Sequence, residues 1–430
     1  MTDPKPKAKP KLTNVAQWLA YIECLHPKSI AMGLDRVLTV ANTLQLKPNF
    51  PIITVAGTNG KGSVCAMLNH IYTAAGYRVG CYTSPHLIRY NERVSVNLKA
   101  ISDDDLCEAF AAVEAARGTV ALTYFEMGTL AAMWHFCHQQ LDIVILEVGL
   151  GGRLDAVNIF EPSCAIVTAI DLDHMEYLGD TREKIGFEKA GIFRAHKLAI
   201  CGDENPPQSL LEYAKKIGAN LALINQDFSI NKLAEGWQYV AGNLQIKLPS
   251  LGLTGDFQAN NAGSALHSVA HLQALLPVSQ ASIHQGLTQV SLAGRFQKIS
   301  ANPSIIVDVA HNPQAAQSLA DNLQKMPCIG KTLAVFAMLA DKDINGVVSA
   351  IKWQIDAWYL ADIDAARGAK ASDLHIALNA QVVMKPVHLF TNVTTALAAA
   401  CIEANKNDRI IVFGSFYTVA DALADINLNI

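Results

Sequence analysis

A buried-strand pattern, Ile52-Ile53-Thr54-Val55-Ala56, runs directly into Gly57-Thr58-Asn59-Gly60-Lys61-Gly62-Ser63. A helical segment follows over 64–75, with Gly76 as its expected C-cap. Nothing else in the chain narrows the fold as much. Strand, glycine-rich turn and helix in that order bring backbone N–H groups and a helix N-terminus to one point, which is how a protein holds phosphate. The glycines let the backbone approach phosphate oxygens, and Lys61 adds a point charge. The spacing departs from the standard Walker pattern, because Val55 stands at the first glycine position and Gly62 follows the lysine. A tight turn with a surface lysine is the competing reading. Three glycines and a lysine bunched at a strand end favour nucleotide.

Apolar runs recur at 143–148, 165–170, 305–309, 333–338 and 410–413, separated by helical patterns. Such alternation predicts βαβ units and an α/β fold on mainly parallel sheets. At 430 residues the chain is long enough for two domains. The pattern restarts near Ala293-Gly294-Arg295-Phe296, after a helical stretch at 260–276 and before a helix at 314–325. We therefore expect a loose tail over 1–12, a P-loop-type ATP-binding domain over 13–295 and a smaller Rossmann-like domain over 296–430. Val15, Trp18, Leu19 and Ile22 mark an early helix with Thr13 as N-cap. Strand-like pieces within 225–253, such as Trp237-Gln238-Tyr239-Val240, suggest an antiparallel edge of the first domain.

Hydrophobic residues at 51% and charged residues at 17% supply a large core and argue against disorder. A net charge of -4 offers no basic stripe for nucleic acid. Met1 to Leu12 alternates lysine and proline and is no signal peptide, and no apolar run approaches the roughly 18 residues of a membrane span. Nine cysteines are scattered without a C-x-x-C pair, which points to reduced thiols and a cytoplasmic protein.

In open parallel sheets, carboxyl ends of strands converge on a ligand crevice. Glu147 ends one strand pattern, and Asp171, Asp173 and His174 follow another. A hard cation beside a nucleotide needs few protein oxygens, so Glu147 suits that task and a neutral His174 is a less usual partner. On spacing alone they serve equally as solvated loop carboxylates and a polar cap. Gly149-Leu150-Gly151-Gly152-Arg153-Leu154 starts like a dinucleotide fingerprint, but Leu154 takes the third glycine position and Pro162 limits any following helix, which rejects a Rossmann oxidoreductase. Lys189, in a polar helical stretch at 182–190, reads as a solvated lysine. His135 and His138, flanking Cys137, read as packing or surface residues rather than a metal site.

Taken together, the segments resemble folylpolyglutamate synthases, relatives of the Mur peptide ligases. The resemblance rests on the 54–63 loop, Ser84-Pro85-His86-Leu87, the segment from Glu147 to Ala156, Asp173-His174 and Glu188-Lys189-Ala190-Gly191-Ile192-Phe193. It continues through Gly294-Arg295-Phe296-Gln297, Asp308-Val309-Ala310-His311-Asn312-Pro313 and Asp341-Lys342-Asp343. It covers nearly the whole chain beyond the tail, in the family's order. Met32-Gly33-Leu34-Asp35-Arg36, Thr123-Tyr124-Phe125-Glu126 and Leu154-Asp155-Ala156 are similar to the pterin-binding segments of the bifunctional dihydrofolate synthase/folylpolyglutamate synthase branch. Tyr417 departs from the histidine of close relatives.

The resemblance implies an ATP-dependent ligase that joins L-glutamate to dihydropteroate and to the γ-carboxylate of reduced folates. Gly60, Lys61, Gly62, Ser63, Asn261, Arg295 and Asp308 would bind ATP. Ser84, Glu147 and His174 would hold Mg2+ at two sites, with a monovalent cation as a further cofactor. Lys61, His174 and Lys189 would be catalytic, Lys189 as a carbamate. Met32, Gly33, Leu34, Asp35, Thr123, Tyr124, Phe125, Glu126, Leu154, Asp155 and Ala156 would bind dihydropteroate. The resemblance further implies small-molecule partners only, no nucleic acid or membrane, and a cytoplasmic monomer. A synthase that only extends folates, a Mur-type UDP-sugar peptide ligase and a P-loop switch or motor are the alternatives.

Overall fold

Strands buried on both faces need helices on both faces, and the computed structural model of the chain shows that arrangement twice. It describes residues 12–28 and 30–428. The expected tail, Leu12 excepted, lies outside the described residues.

The strands, in chain order, are β1 Ile52–Ala56, β2 Val79–Tyr82, β3 Val94–Val96, β4 Lys99–Ala100, β5 Ile143–Glu147, β6 Cys164–Val167, β7 Leu198–Cys201 and β8 Asn220–Leu223. They form one sheet in the order β4-β3-β2-β5-β1-β6-β7-β8. Neighbours from β2 to β8 are parallel, and β3 and β4 add an antiparallel edge. The two-residue period of a strand divides the core. Ile53, Val55, Ile143, Ile145, Cys164 and Ile166 face the helix Lys61–Ala74. Ile52, Val144, Leu146, Ala165 and Val167 face the helices Asp103–Arg117 and Tyr124–Cys137.

The segment expected as an antiparallel edge of the first domain is antiparallel but stands apart from this sheet. β9 Ser229–Lys232, β10 Trp237–Ala241 and β11 Leu244–Leu248 form a separate three-stranded antiparallel sheet. Phe228, Tyr239 and Leu248 bury against Ala262, Leu266 and Val269 of the helix Phe257–His271. Those apolar contacts fix its place. Other elements shift by a few residues. Asn14, not Thr13, caps the first helix, its side chain accepting from Gln17 N–H at 2.9 Å. The phosphate-loop helix starts at Lys61 because Gly60, at φ +92°, supplies the left-handed turn that admits it.

The second half forms β12 Gln297–Ala301, β13 Ser304–Asp308, β14 Thr332–Phe336, β15 Ala357–Ala361, β16 Val387–Phe390 and β17 Arg409–Phe413. Their order is β12-β13-β17-β14-β15-β16, parallel except for β12. Helices cover both faces. Cys65, Cys81, Cys164 and Cys201 are buried in the first domain. No helix among the described residues is long and apolar enough to cross a membrane.

Candidate active site

Carboxyl-end loops of both parallel sheets meet around one cavity of about 660 Å³. Its floor is the phosphate loop. Thr58 N–H donates to Ala169 O at 2.7 Å and the Thr58 hydroxyl donates to Asp171 O at 2.9 Å, which ties the loop to the end of β6. Two glycines are sterically required. A Cβ on Gly57, at φ +149°, would overlap Thr168 Oγ1. One on Gly60 would stand 2.5 Å from Asn261 Oδ1. Asn261 is held in turn by its amide, which donates to Gln258 Oε1 at 2.9 Å. Lys61 Nζ donates to Gly57 O at 2.9 Å and Thr58 O at 3.2 Å. Ser63 is buried in the first helical turn.

Glu147, at the end of β5, is 4% exposed. Burial raises its pKa, against the pull of Lys61 and of Ser84 N–H, which donates to Oε2 at 3.0 Å. A buried carboxylate beside a hydroxyl-bearing residue suits a hard cation. Among the described residues, no three His, Cys, Asp or Glu side chains converge as a metal cage. His174 lines the cavity from the loop after β6. Burial is the largest cause bringing its pKa down to about 4, so the imidazole is neutral and able to ligate. The donor chemistry therefore fits a divalent ion.

Lys189 reverses its solvated reading. It is 3% exposed in the last turn of the helix Arg182–Ala190 and reaches the cavity. Burial first and the Lys61 charge second bring its pKa down to about 7. The neighbouring Lys184 is instead exposed and paired with Asp180 at 2.8 Å. The Gly149–Leu154 loop packs on this helix end, where a Cβ on Gly152 would meet Glu188 O at 2.8 Å.

The apolar wall carries Met32, Thr123, Phe125, Glu126, Leu154, Asp155 and Ala156. Gly33, Leu34, Asp35 and Tyr124 are not on it; Asp35 is exposed in the first turn of the helix Asp35–Thr43, and the Tyr124 ring packs edge-on to Tyr90, 5.6 Å between centroids. Thr123 and Glu126 form a capping box, and Glu126 also accepts from Arg36 at 2.7 Å. Asp155 is 5% exposed, and its carboxylate accepts from Leu150 N–H at 2.8 Å and Val157 N–H at 3.0 Å. Burial outweighs those bonds and pushes its pKa up to about 7.

The second domain closes the cavity. Half-buried Arg295 lies over Phe416 at 5.3 Å, and Asp308 accepts from Phe296 N–H and Ala310 N–H, each at 2.8 Å. Burial lowers the Arg295 pKa and raises that of Asp308, each opposed by the other's charge. Tyr417, about half exposed, reaches the rim from the first turn of the helix Phe416–Leu428. Sequence reasoning gave no role to several residues found here. Arg93 is buried on the wall and donates to His86 Nδ1 at 2.9 Å. Asn59 of the phosphate loop exchanges amide bonds with Asn312 of the second domain at 3.0 and 3.2 Å, and Lys342 reaches Asp173 at 2.6 Å. Asn312 and Lys342 lie in segments that carried the resemblance, whereas Arg93 lies in none.

The profile of the Mur ligase middle domain matches residues 55–269, and that of the Mur ligase glutamate ligase domain matches 294–416. The dihydrofolate synthase/folylpolyglutamate synthase of Escherichia coli (strain K12) is 43% identical over 416 residues, covering 96% of each chain. The solved structure of E. coli FolC in complex with DHPP and ADP superposes with a TM-score of 0.92 at 43% identity, covering 97% of this chain and 98% of that one. A bifunctional folylpolyglutamate synthase/dihydrofolate synthase with Mn, AMPPNP and L-glutamate bound superposes with a TM-score of 0.89 at 44% identity, covering 96% and 98%. With these matches spanning both domains, the chain belongs to the dihydrofolate synthase/folylpolyglutamate synthase family of Mur-type ATP-dependent ligases.

Proposed function

We propose that the chain uses ATP to join L-glutamate to dihydropteroate and to the terminal γ-carboxylate of reduced folates. One observation carries the reading. A phosphate loop, a buried neutral-leaning lysine and an apolar wall with a buried carboxyl share a single cavity built from two domains.

A carboxylate does not react with an amine directly, because its leaving group would be oxide. Transfer of the ATP γ-phosphoryl group to the substrate carboxylate makes an acyl phosphate. The glutamate α-amine then attacks the acyl carbon, and the tetrahedral intermediate collapses to amide and phosphate. Gly60, Lys61, Gly62 and Ser63 hold the phosphates, with the Lys61 charge facing the transferring group. Asn261 supports the loop, while Arg295 and Asp308 take the nucleotide from the second domain. A divalent cation, when bound, would be held by Glu147 and Ser84 on one side and His174 on the other, and would offset phosphate charge. The neutral Lys189 amine can add carbon dioxide, releasing one proton and leaving a carbamate whose oxygens suit a hard cation. Phe125, Thr123 and Asp155 hold the pterin end of dihydropteroate, with Met32, Glu126, Leu154 and Ala156 beside them. Gly33, Leu34, Asp35 and Tyr124, which do not line the cavity, are given no contact with the pterin. Enclosure between domains keeps water from the acyl phosphate.

Both halves of the cavity come from one chain, which supports a monomeric working unit; cysteines scattered without a C-x-x-C pair support a cytoplasmic setting. Mass analysis of products formed from ATP, Mg2+, glutamate and either dihydropteroate or a reduced folate tests the whole reading. A mass gain of one glutamyl residue on each acid is expected. No gain on either overturns it.

A further inference from the structure

Beside His174 a largely buried ion pair joins the first and second domains. Lys342 Nζ lies 2.6 Å from Asp173 Oδ1, with the two side chains 11% and 13% exposed. Lys342 sits in the loop that follows β14, just before Asp343, which caps the helix Ile344–Ile351. Asp173 sits in the loop that follows β6. The same Oδ1 accepts from His174 N–H at 2.9 Å. His174 holds φ +51° and ψ +40°, a left-handed conformation that a non-glycine residue keeps only when its surroundings impose it. Its carbonyl accepts from Tyr177 and Leu178 N–H at 3.0 Å each, so the peptide on both sides is fixed. The Oδ2 atom has His174 Nε2 and His311 Nε2 at 3.8 Å.

We infer that Lys342 is a positioning residue: by gripping Asp173 it sets the His174 backbone, and so couples contact between the domains to the aim of a metal-facing imidazole. The inference rests on the ligase reading above. Asp173 links the two, because one oxygen serves both a cation from the second domain and the amide of the histidine. Without the lysine, the carboxylate keeps only the looser 3.8 Å contacts of Oδ2 with His174 and His311, and the Oδ1 bond that holds His174 left-handed is no longer pinned. The result is a ring no longer aimed into the cavity. Lys342 thereby acts on a group it does not touch, as outer partners of ligating histidines do.

The test measures Mn2+ binding, without turnover, to protein saturated with AMPPNP, by electron paramagnetic resonance of free Mn2+. Wild type is compared with Lys342→Met, Lys342→Arg, Asp173→Asn and the Met/Asn double variant. Lys342→Met should weaken Mn2+ roughly tenfold, the scale of outer-partner losses. Lys342→Arg, which keeps the charge, should restore most of it. The double variant should bind no more weakly than Asp173→Asn alone, since both changes break one contact. In turnover assays the apparent KM for Mg2+ should rise more than that for glutamate. Wild-type affinity in Lys342→Met, or losses that add in the double variant, overturn the inference. A raised KM for glutamate with Mn2+ binding unchanged also overturns it and assigns Lys342 to the substrate. If Lys342→Met does not fold, the Arg and Asn variants decide between the same outcomes. Failure of the wild type itself to bind Mn2+ with AMPPNP would sink the ligase reading instead.

Discussion

Lys189 shows how far burial alone can change a residue's chemistry. An ammonium in the 182–190 segment is ordinary when solvated, but this one is 3% exposed and its pKa falls to about 7. The consequence for stability has a definite sign. Between about 7 and the ordinary lysine value near 10.4, the unfolded chain binds one more proton than the folded one. In carbonate-free buffer the wild type should therefore gain on Lys189→Met as pH rises through that window, read as the difference in melting temperature. A flat difference would mean a solvated ammonium. In activity, Lys189→Ala should be nearly inactive, with partial recovery by added short-chain carboxylates. Asp155 makes a second case. Asp155→Ala should cost more in kcat/KM for dihydropteroate than for folate extension, and equal losses would contradict a pterin contact. It should also lower the melting temperature, since Leu150 and Val157 N–H groups lose their acceptor at about 1–3 kcal/mol each where buried. Lys61→Ala should abolish both activities with the fold intact, a loss on the order of 100-fold or more. Near-normal turnover there would remove the loop from the chemistry.

The strand, loop and helix over 52–75 were legible because every signal is local: apolar run, glycines, lysine, helical period. Close approach makes the glycines testable. Gly57→Ala drives a Cβ into the Thr168 hydroxyl and adds strain at φ +149°. It should lower stability by about 1–3 kcal/mol and weaken ATP binding; unchanged melting and nucleotide affinity would deny the tight fit. Pairing between distant elements was less legible. Alternation in 225–253 announces strands but not their neighbours, and these strands chose the helix Phe257–His271 over the large sheet. Lys189 was hidden for a related reason. Its burial comes from the Gly149–Leu154 loop, whose Arg153 N–H donates to Glu188 O at 2.7 Å. That contact joins residues some 35 positions apart, and no periodicity within 182–190 reports it. The pterin wall was legible only through resemblance, and four of its expected members stand off the cavity.

At the scale of the molecule, the reactive centre exists only where two sheets present their carboxyl ends to each other. ADP release should therefore stay at background until both the acid and glutamate are present, as a coupled phosphate assay would show. Steady hydrolysis of ATP alone would instead favour a switch or motor. The neutral amide exchange between Asn59 and Asn312 makes part of the domain contact indifferent to salt, whereas Lys325 and Asp256, exposed and 2.8 Å apart, form a pair that salt should weaken. The free thiols lend the chain a built-in clock. Cys65 lies in the phosphate-loop helix and Cys81, Cys164 and Cys201 lie in β2, β6 and β7 of the first sheet, all out of water. A thiol reagent cannot touch them until that domain opens, so their rate of labelling counts opening events. Nucleotide should slow the clock in proportion to its affinity, while Cys24, exposed on the surface, keeps ticking at an unchanged rate.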